Sequence, residues 1–169
     1  MSALAPSGGV LVTGAQGFVG SWLVERLLGE GAHVVAPRRE APAESRFRRR
    51  RLDRRCDLVE LDLLELPSLL RVLNERDVRL VFHLAARTIV ADAARDPLTA
   101  FDVNVRGTYN LLEACRLLGG TDAGPRVVVA SSYHAYGRQA AGAYSERTAL
   151  RPRHPYDVSK ACADLIARS

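Results

Sequence analysis

Among 24 basic side chains in 169 residues there is a single lysine, Lys160. There is also little aromatic surface, at 6% Phe, Trp and Tyr, with one tryptophan and one methionine. No apolar run reaches the roughly 18 residues needed to cross a bilayer, so no transmembrane helix is expected. Residues Met1 to Gly9 lack a basic cluster followed by an apolar stretch, so no secretory signal is read there. Cys56, Cys115 and Cys162 have no C-x-x-C spacing. Three scattered thiols exclude a disulfide framework and point to a reducing, cytoplasmic setting. His33, His83, His134 and His154 show no metal-ligand spacing either, and no metal site is assigned.

What is present is arginine, and it is concentrated. Arg46, Arg48, Arg49, Arg50, Arg51, Arg54 and Arg55 crowd around Phe47 and Leu52, within a formal net charge of +5. Such a run reads first as a solvated loop or helix face and only second as a nucleic-acid or phosphate site. No nucleic-acid-binding motif accompanies it.

Apolar periodicity divides the chain into alternating strands and helices. Strands are predicted at Gly9–Thr13, Val34–Pro37, Asp57–Leu61, Arg79–Ala86 and Arg126–Ser132, the last from an unbroken Val-Val-Val run. Helices are predicted at Phe18–Leu28, Leu66–Leu73, Thr99–Leu118 and Tyr156–Arg168, with Gly137–Pro155 as a loop. Strand–helix alternation implies an α/β fold, a Rossmann-type doubly wound parallel sheet of about five strands. A complete dinucleotide fold has about six strands. The whole of residues 1–169 is therefore expected to be one domain of this type that stops early.

The first strand runs into Gly14-Ala15-Gln16-Gly17-Phe18-Val19-Gly20 at the start of a helix. Glycines in that context permit a tight turn and close approach of the backbone to a pyrophosphate, which the helix N-terminus attracts. Beyond the second strand, where an acid usually takes the NAD ribose, the chain has Arg38 and Arg39. Guanidinium groups there suit a 2′-phosphate, so the cofactor is read as NADP or NAD, with NADP favoured. Asp62 and Leu63 follow the third strand; Asp62 serves either as an acceptor for an adenine amino group or as a turn or helix cap. Leu84, Ala85 and Ala86 end the fourth strand with little bulk, leaving room for a cofactor or for close helix packing. Asn104, inside an apolar helix, needs internal partners if buried, and fixes backbone or touches ligand. Ser131 and Ser132 arrive at the C-terminal end of the fifth strand, where doubly wound sheets bind ligands. Tyr156 and Lys160, four apart on one helix, lie side by side, so that an ammonium stabilises a phenolate and the pair can move a proton.

These motifs occur in the order found in extended short-chain dehydrogenases/reductases, and the chain resembles the branch of nucleotide-sugar epimerases and 4,6-dehydratases. Phe82 to Ala86 and His154 to Leu165 are most similar to CDP-glucose 4,6-dehydratase-like proteins. The resemblance implies NAD(P)-dependent hydride transfer at a carbon of a nucleotide sugar, whether as oxidoreductase, isomerase or lyase. It implies Tyr156 as catalytic base, Lys160 on the nicotinamide ribose and Ser132 as hydroxyl partner. It also implies Gly14, Gly17, Phe18, Val19, Gly20, Asp62, Leu63, Leu84, Ala85, Ala86, Asn104, Tyr156 and Lys160 around the cofactor. Dehydratases of the branch carry an acid directly after the catalytic Ser or Thr, where this chain has Tyr133 and His134. Family members are about twice as long, so the C-terminal substrate domain is expected to be missing. A complementing C-terminal polypeptide or a homodimer would then supply the sugar pocket. The alternative is a non-catalytic NAD(P)-binding or scaffold module.

Overall fold

The computed structural model describes residues 7–119, 124–138 and 142–169. Five parallel strands form one sheet: β1 (Gly9–Thr13), β2 (Val34–Pro37), β3 (Asp57–Val59), β4 (Val78–His83) and β5 (Arg126–Val129). Their order is β3-β2-β1-β4-β5, so the chain leaves the centre at β1, reaches one edge, and crosses over to β4. That reversal places a crevice beyond the C-terminal ends of β1 and β4, the usual ligand position in such sheets.

Alternation along β1 builds two cores. Val10 and Val12 join Val24, Leu27, Val34, Phe47 and Leu52 on one face. Leu11 joins Val35, Leu69, Val72, Val81 and Leu111 on the other. The first face is covered by α1 (Phe18–Gly29) and the short α2 (Arg46–Arg49); the second by α3 (Leu66–Glu75) and α6 (Gly107–Gly119). Burial on both faces explains why β1 and β2 are continuous apolar runs.

The arginine run is an amphipathic cover for this core. Phe47 and Leu52 are fully buried anchors. Arg46 lies over the Trp22 ring, 3.2 Å from its centroid, and pairs with Glu25, which also holds Arg50 at 3.2 Å. Arg48 pairs with Asp53.

Several predicted boundaries move. β3 ends at Val59, β4 at His83 and β5 at Val129, so Leu84–Ala86 and Ala130–Ser132 leave the sheet and turn into the crevice region. Two short helices not foreseen, α4 (Val90–Arg95) and α5 (Pro97–Phe101), precede a π-helical turn at Asp102–Arg106. The predicted Thr99–Leu118 helix is thus three segments. α5 starts on its own signal, since Asp96 accepts from the Thr99 N–H and Pro97 fills the first turn. The last helix, α7 (Pro155–Arg168), begins one residue early for the same proline reason. Gly120 and residues 139–141 of the predicted loop lie outside the described residues. Among the described residues no helix is long and apolar enough to cross a membrane.

Candidate active site and cofactor crevice

The glycine turn is built so that side chains cannot enter it. Gly14 adopts φ +72°, and a Cβ there would lie 2.8 Å from the Ala85 nitrogen. A Cβ on Gly20 would run into the Gly14 carbonyl, so α1 packs directly on the turn. Gly17 is exposed and N-caps α1 without any side-chain cap. Its surroundings leave the first amides of α1 open to an anion. A cleft of about 480 Å³ is lined here by Gly14, Gly17, Phe18, Val19, Arg39 and Ala85 among others. Phe18 and Val19 are exposed at its mouth. A second cleft of about 370 Å³ continues past Arg38, Arg39, Asp62, Leu63 and Ala85. The cradle therefore fits a pyrophosphate flanked by a nucleoside.

Two predicted contacts have other partners. Arg38 pairs with Glu60 at 3.0 Å, which draws it toward the end of β3. Arg39 lines both clefts and forms no ion pair among the described residues. Asp62 Oδ1 accepts from the Leu64 N–H at 2.9 Å, the turn-closing role, while the residue still lines the second cleft.

Asn104 bonds within the chain, to the backbone of Arg87. It is 1% exposed. Its Oδ1 accepts from the Arg87 N–H at 2.7 Å, and its Nδ2 donates to the Arg87 carbonyl and to Ser159 Oγ. The amide is committed to the chain and acts on the crevice only by fixing the segment after Ala86. Ser159 in turn donates to the Tyr156 carbonyl at 2.7 Å.

A second buried chain meets it. The Ala85 N–H donates to Thr13 Oγ1, and Thr13 lies 2.8 Å from His83 Nδ1. On the other side of the ring, His83 Nε2 is 3.1 Å from Thr108 Oγ1, which donates to the Asn104 carbonyl at 2.7 Å. Since the Thr108 proton is committed, Nε2 carries the ring proton and Nδ1 accepts from Thr13. Burial, and secondarily the Lys160 ammonium, hold the His83 pKa down at about 4, so the ring is neutral. Sequence reasoning missed this histidine; its place at the end of an otherwise apolar strand was the available signal.

At the far side of the crevice, Tyr156 is 8% exposed and packs with Ala93 and Ala100. Lys160, one turn along α7, is 7% exposed and donates from Nζ to the Ala130 carbonyl at 2.6 Å. Burial pushes the ammonium's pKa down, with Asp164 partly opposing. Ser132 accepts from the His134 N–H at 3.3 Å, opening a 3-10 turn at Tyr133–Tyr136, and its hydroxyl donates to no protein group among the described residues. The T-shaped contact of the His134 and Tyr156 rings, centroids 5.5 Å apart, brings that turn against α7. Burial pushes two thiols up, Cys56 to about 11 and Cys115 to about 12, so both are protonated at neutral pH.

The chain is similar to known proteins over nearly its whole length. The chain is similar to the CDP-glucose 4,6-dehydratase of Salmonella typhimurium, 33% identical over 162 residues, covering 94% of this chain and 44% of that protein. It is also similar to the UDP-glucose 4-epimerase of Mycolicibacterium smegmatis, 37% identical over 163 residues, covering 92% and 49%. Among solved structures it superposes on the Thermus thermophilus UDP-glucose 4-epimerase, a complex with NAD, at TM-score 0.79 and 32% identity, covering 95% of this chain and 50% of that one. The chain thus spans about half the length of the relatives it matches. The family described as GDP-mannose 4,6 dehydratase matches residues 11–169, and with the glycine cradle, the Ser132 turn and the Tyr156/Lys160 helix in place the chain belongs to that family.

Proposed function

We propose that this chain is the NAD(P)-binding and proton-transferring part of a nucleotide-sugar epimerase or dehydratase. The observation that supports it is convergence: the glycine turn at Gly14–Gly20 leaves the C-terminal end of β1, Ser132 follows β5, and Lys160, one turn after Tyr156 on α7, donates to Ala130 at that same end of the sheet. Gly14, Gly17, Phe18, Val19, Arg39, Asp62, Leu63 and Leu84 to Ala86 would hold the dinucleotide. A bound nicotinamide supplies reversible hydride acceptance at a sugar carbon. Tyr156 removes or returns the hydroxyl proton of that carbon. Ser132 donates to its oxygen, and Lys160 keeps positive charge beneath the phenol.

The substrate class is a nucleoside-diphosphate hexose, as in the names of the relatives. NAD is the cofactor of the Thermus epimerase; here Arg39 would let a 2′-phosphate bind as well. Titration calorimetry with NAD and NADP tests this. Arg39→Ala should weaken NADP by about tenfold and NAD by less than about threefold, one charge-assisted pair being worth about 1.5 kcal/mol. Equal losses would remove Arg39 from that role. Turnover is proposed for the chain paired with a polypeptide that walls the sugar side, or as a homodimer.

A second reading, a cofactor-binding scaffold, is favoured by β5 alone. It is one of the two sheet edges among the described residues, β3 being the other, and its Val128 is half exposed; open edges invite association. Tyr156→Phe separates the two. An enzyme loses NADH formation from nucleoside-diphosphate hexoses far beyond any loss in NAD affinity, whereas a scaffold keeps its partner binding.

A further inference from the structure

Beside Tyr156 stands a second acid–base arrangement. Asp157, the next residue on α7, has a carboxylate that is 7% exposed. Its Oδ1 is buried and has no hydrogen-bond partner of ordinary geometry. The group nearest to supplying one is His134, whose Nδ1 lies 3.0 Å away. First-turn carboxylates often serve only the helix dipole. Such a role needs no burial, and it leaves unexplained an imidazole nitrogen so close to an unpartnered carboxylate oxygen.

The ring has two faces of different use. With Nδ1–H turned to Asp157, the neutral tautomer has its free lone pair at Nε2. His134 is one-third exposed and lines a cleft of about 280 Å³ together with Tyr133, Tyr144, Arg153 and Asp157. Its backbone N–H donates to Ser132, and its ring edge meets Tyr156. A carboxylate that fixes the tautomer, an imidazole behind it and an open side onto a cleft form the recurring arrangement of a general base.

We propose that His134, oriented by Asp157, is a second proton carrier of this site, acting on a carbon–hydrogen bond adjacent to a carbonyl while Tyr156 serves the hydroxyl oxygen. The proposal rests on the reading that Tyr156 and Ser132 face a sugar. The C–H bond breaks, its electron pair moves into the enolate, and the proton goes to Nε2. From there it returns to the same face of that carbon, exchanging its hydrogen with solvent, or protonates a hydroxyl that departs as water from the next carbon. The site then handles ketosugar chemistry beyond simple oxidation and reduction, and the absence of a carboxyl side chain at Tyr133 and His134 is no barrier to elimination.

Two readouts on the full chain decide it. In 15N-histidine-labelled protein at pH 9, where imidazoles are neutral, long-range correlation spectra should show His134 as the Nδ1–H tautomer, reverting to mainly Nε2–H in Asp157→Asn. An Nε2–H tautomer in the parent, or no change in Asp157→Asn, overturns the dyad. The second readout uses D2O with NAD and UDP-glucose, CDP-glucose or GDP-mannose, following NADH by absorbance and deuterium in the sugar by mass spectrometry. His134→Gln should cut deuterium incorporation by about 100-fold, a typical general-base contribution, and far more than it cuts NADH formation. Asp157→Asn should cut it in the same direction, guarding against misfolding of one variant. Equal losses of both signals, or NADH without deuterium in the parent chain, overturn the role. If the parent forms neither, as a homodimer or with the C-terminal half of a relative added, the sugar reading fails, and the tautomer measurement alone settles the dyad.

Discussion

Lys160 donates from Nζ to the Ala130 carbonyl at 2.6 Å, tying α7 to the residue that follows β5. Ala130 itself donates its N–H to the His83 carbonyl at 3.1 Å, so the lysine is fastened to the end of the sheet. At 7% exposure the pocket takes a slim ammonium. Lys160→Arg forces a wider planar head into it and should cost about 1–3 kcal/mol of overpacking. Lys160→Met should cost less, since losing the bond to Ala130 is offset by no longer burying a charge. Urea unfolding of both variants checks the order; a more stable arginine variant would contradict the packing.

The two ends of the glycine turn answer to different constraints. Gly20→Ala places a Cβ against the Gly14 carbonyl backbone and should lower stability by about 2–3 kcal/mol. Gly17→Ala meets only the Gly14 oxygen, at 3.2 Å, and is exposed. It should leave the melting temperature within a few degrees and weaken NADH binding by about tenfold or more, by crowding the pyrophosphate. Paired thermal melts and NADH fluorescence titrations separate fold from binding.

His83 gives stability a pH dependence of known sign. The folded chain keeps the ring neutral down to about pH 4, whereas the unfolded chain takes a proton near 6.5. Between those values the unfolded state binds more protons. Stability is therefore complete above about pH 6.5 and is lost as pH falls toward 4, by about 3 kcal/mol for a separation of roughly 2.5 pH units. His83→Gln should flatten that part of the profile in urea titrations across pH 4–7. An unchanged slope would assign the dependence to other groups.

The single tryptophan reports on the arginine segment. Arg46 stacks on Trp22 and pairs with Glu25, with both charged side chains mostly shielded. Arg46→Ala should lower stability by about 1–2 kcal/mol and alter Trp22 emission in the folded state. Arg49→Ala, exposed and without an ion pair among the described residues, should do neither.

The order of strands and helices was legible from residue pattern because each element answers to its own neighbours. The Val-Leu-Val run is a strand buried between helices, and the Val-Val-Val run a strand at the sheet edge that is only partly covered. Gly14, Gly17 and Gly20 declare a turn that no side chain may enter. The Tyr156/Lys160 pair follows from helix geometry, so half of the site was local information. The ends of β3, β4 and β5 were not legible, since the apolar run continues while the partner strand stops. Nor was the π-helical turn at Asp102–Arg106, where Asn104 gives up regular helix geometry for bonds to Arg87 and Ser159. Those partners are 17 and 55 residues away, and no periodicity encodes them. The sequence by itself thus determined the family, the cradle and the lone lysine behind the tyrosine. Only tertiary structure decided that Asn104 bonds to backbone, that His83 is a neutral buried bridge, and that His134 Nδ1 lies 3.0 Å from the buried Asp157 carboxylate. Each of these depends on which polar groups burial leaves without water, and that is settled only when distant segments close over them.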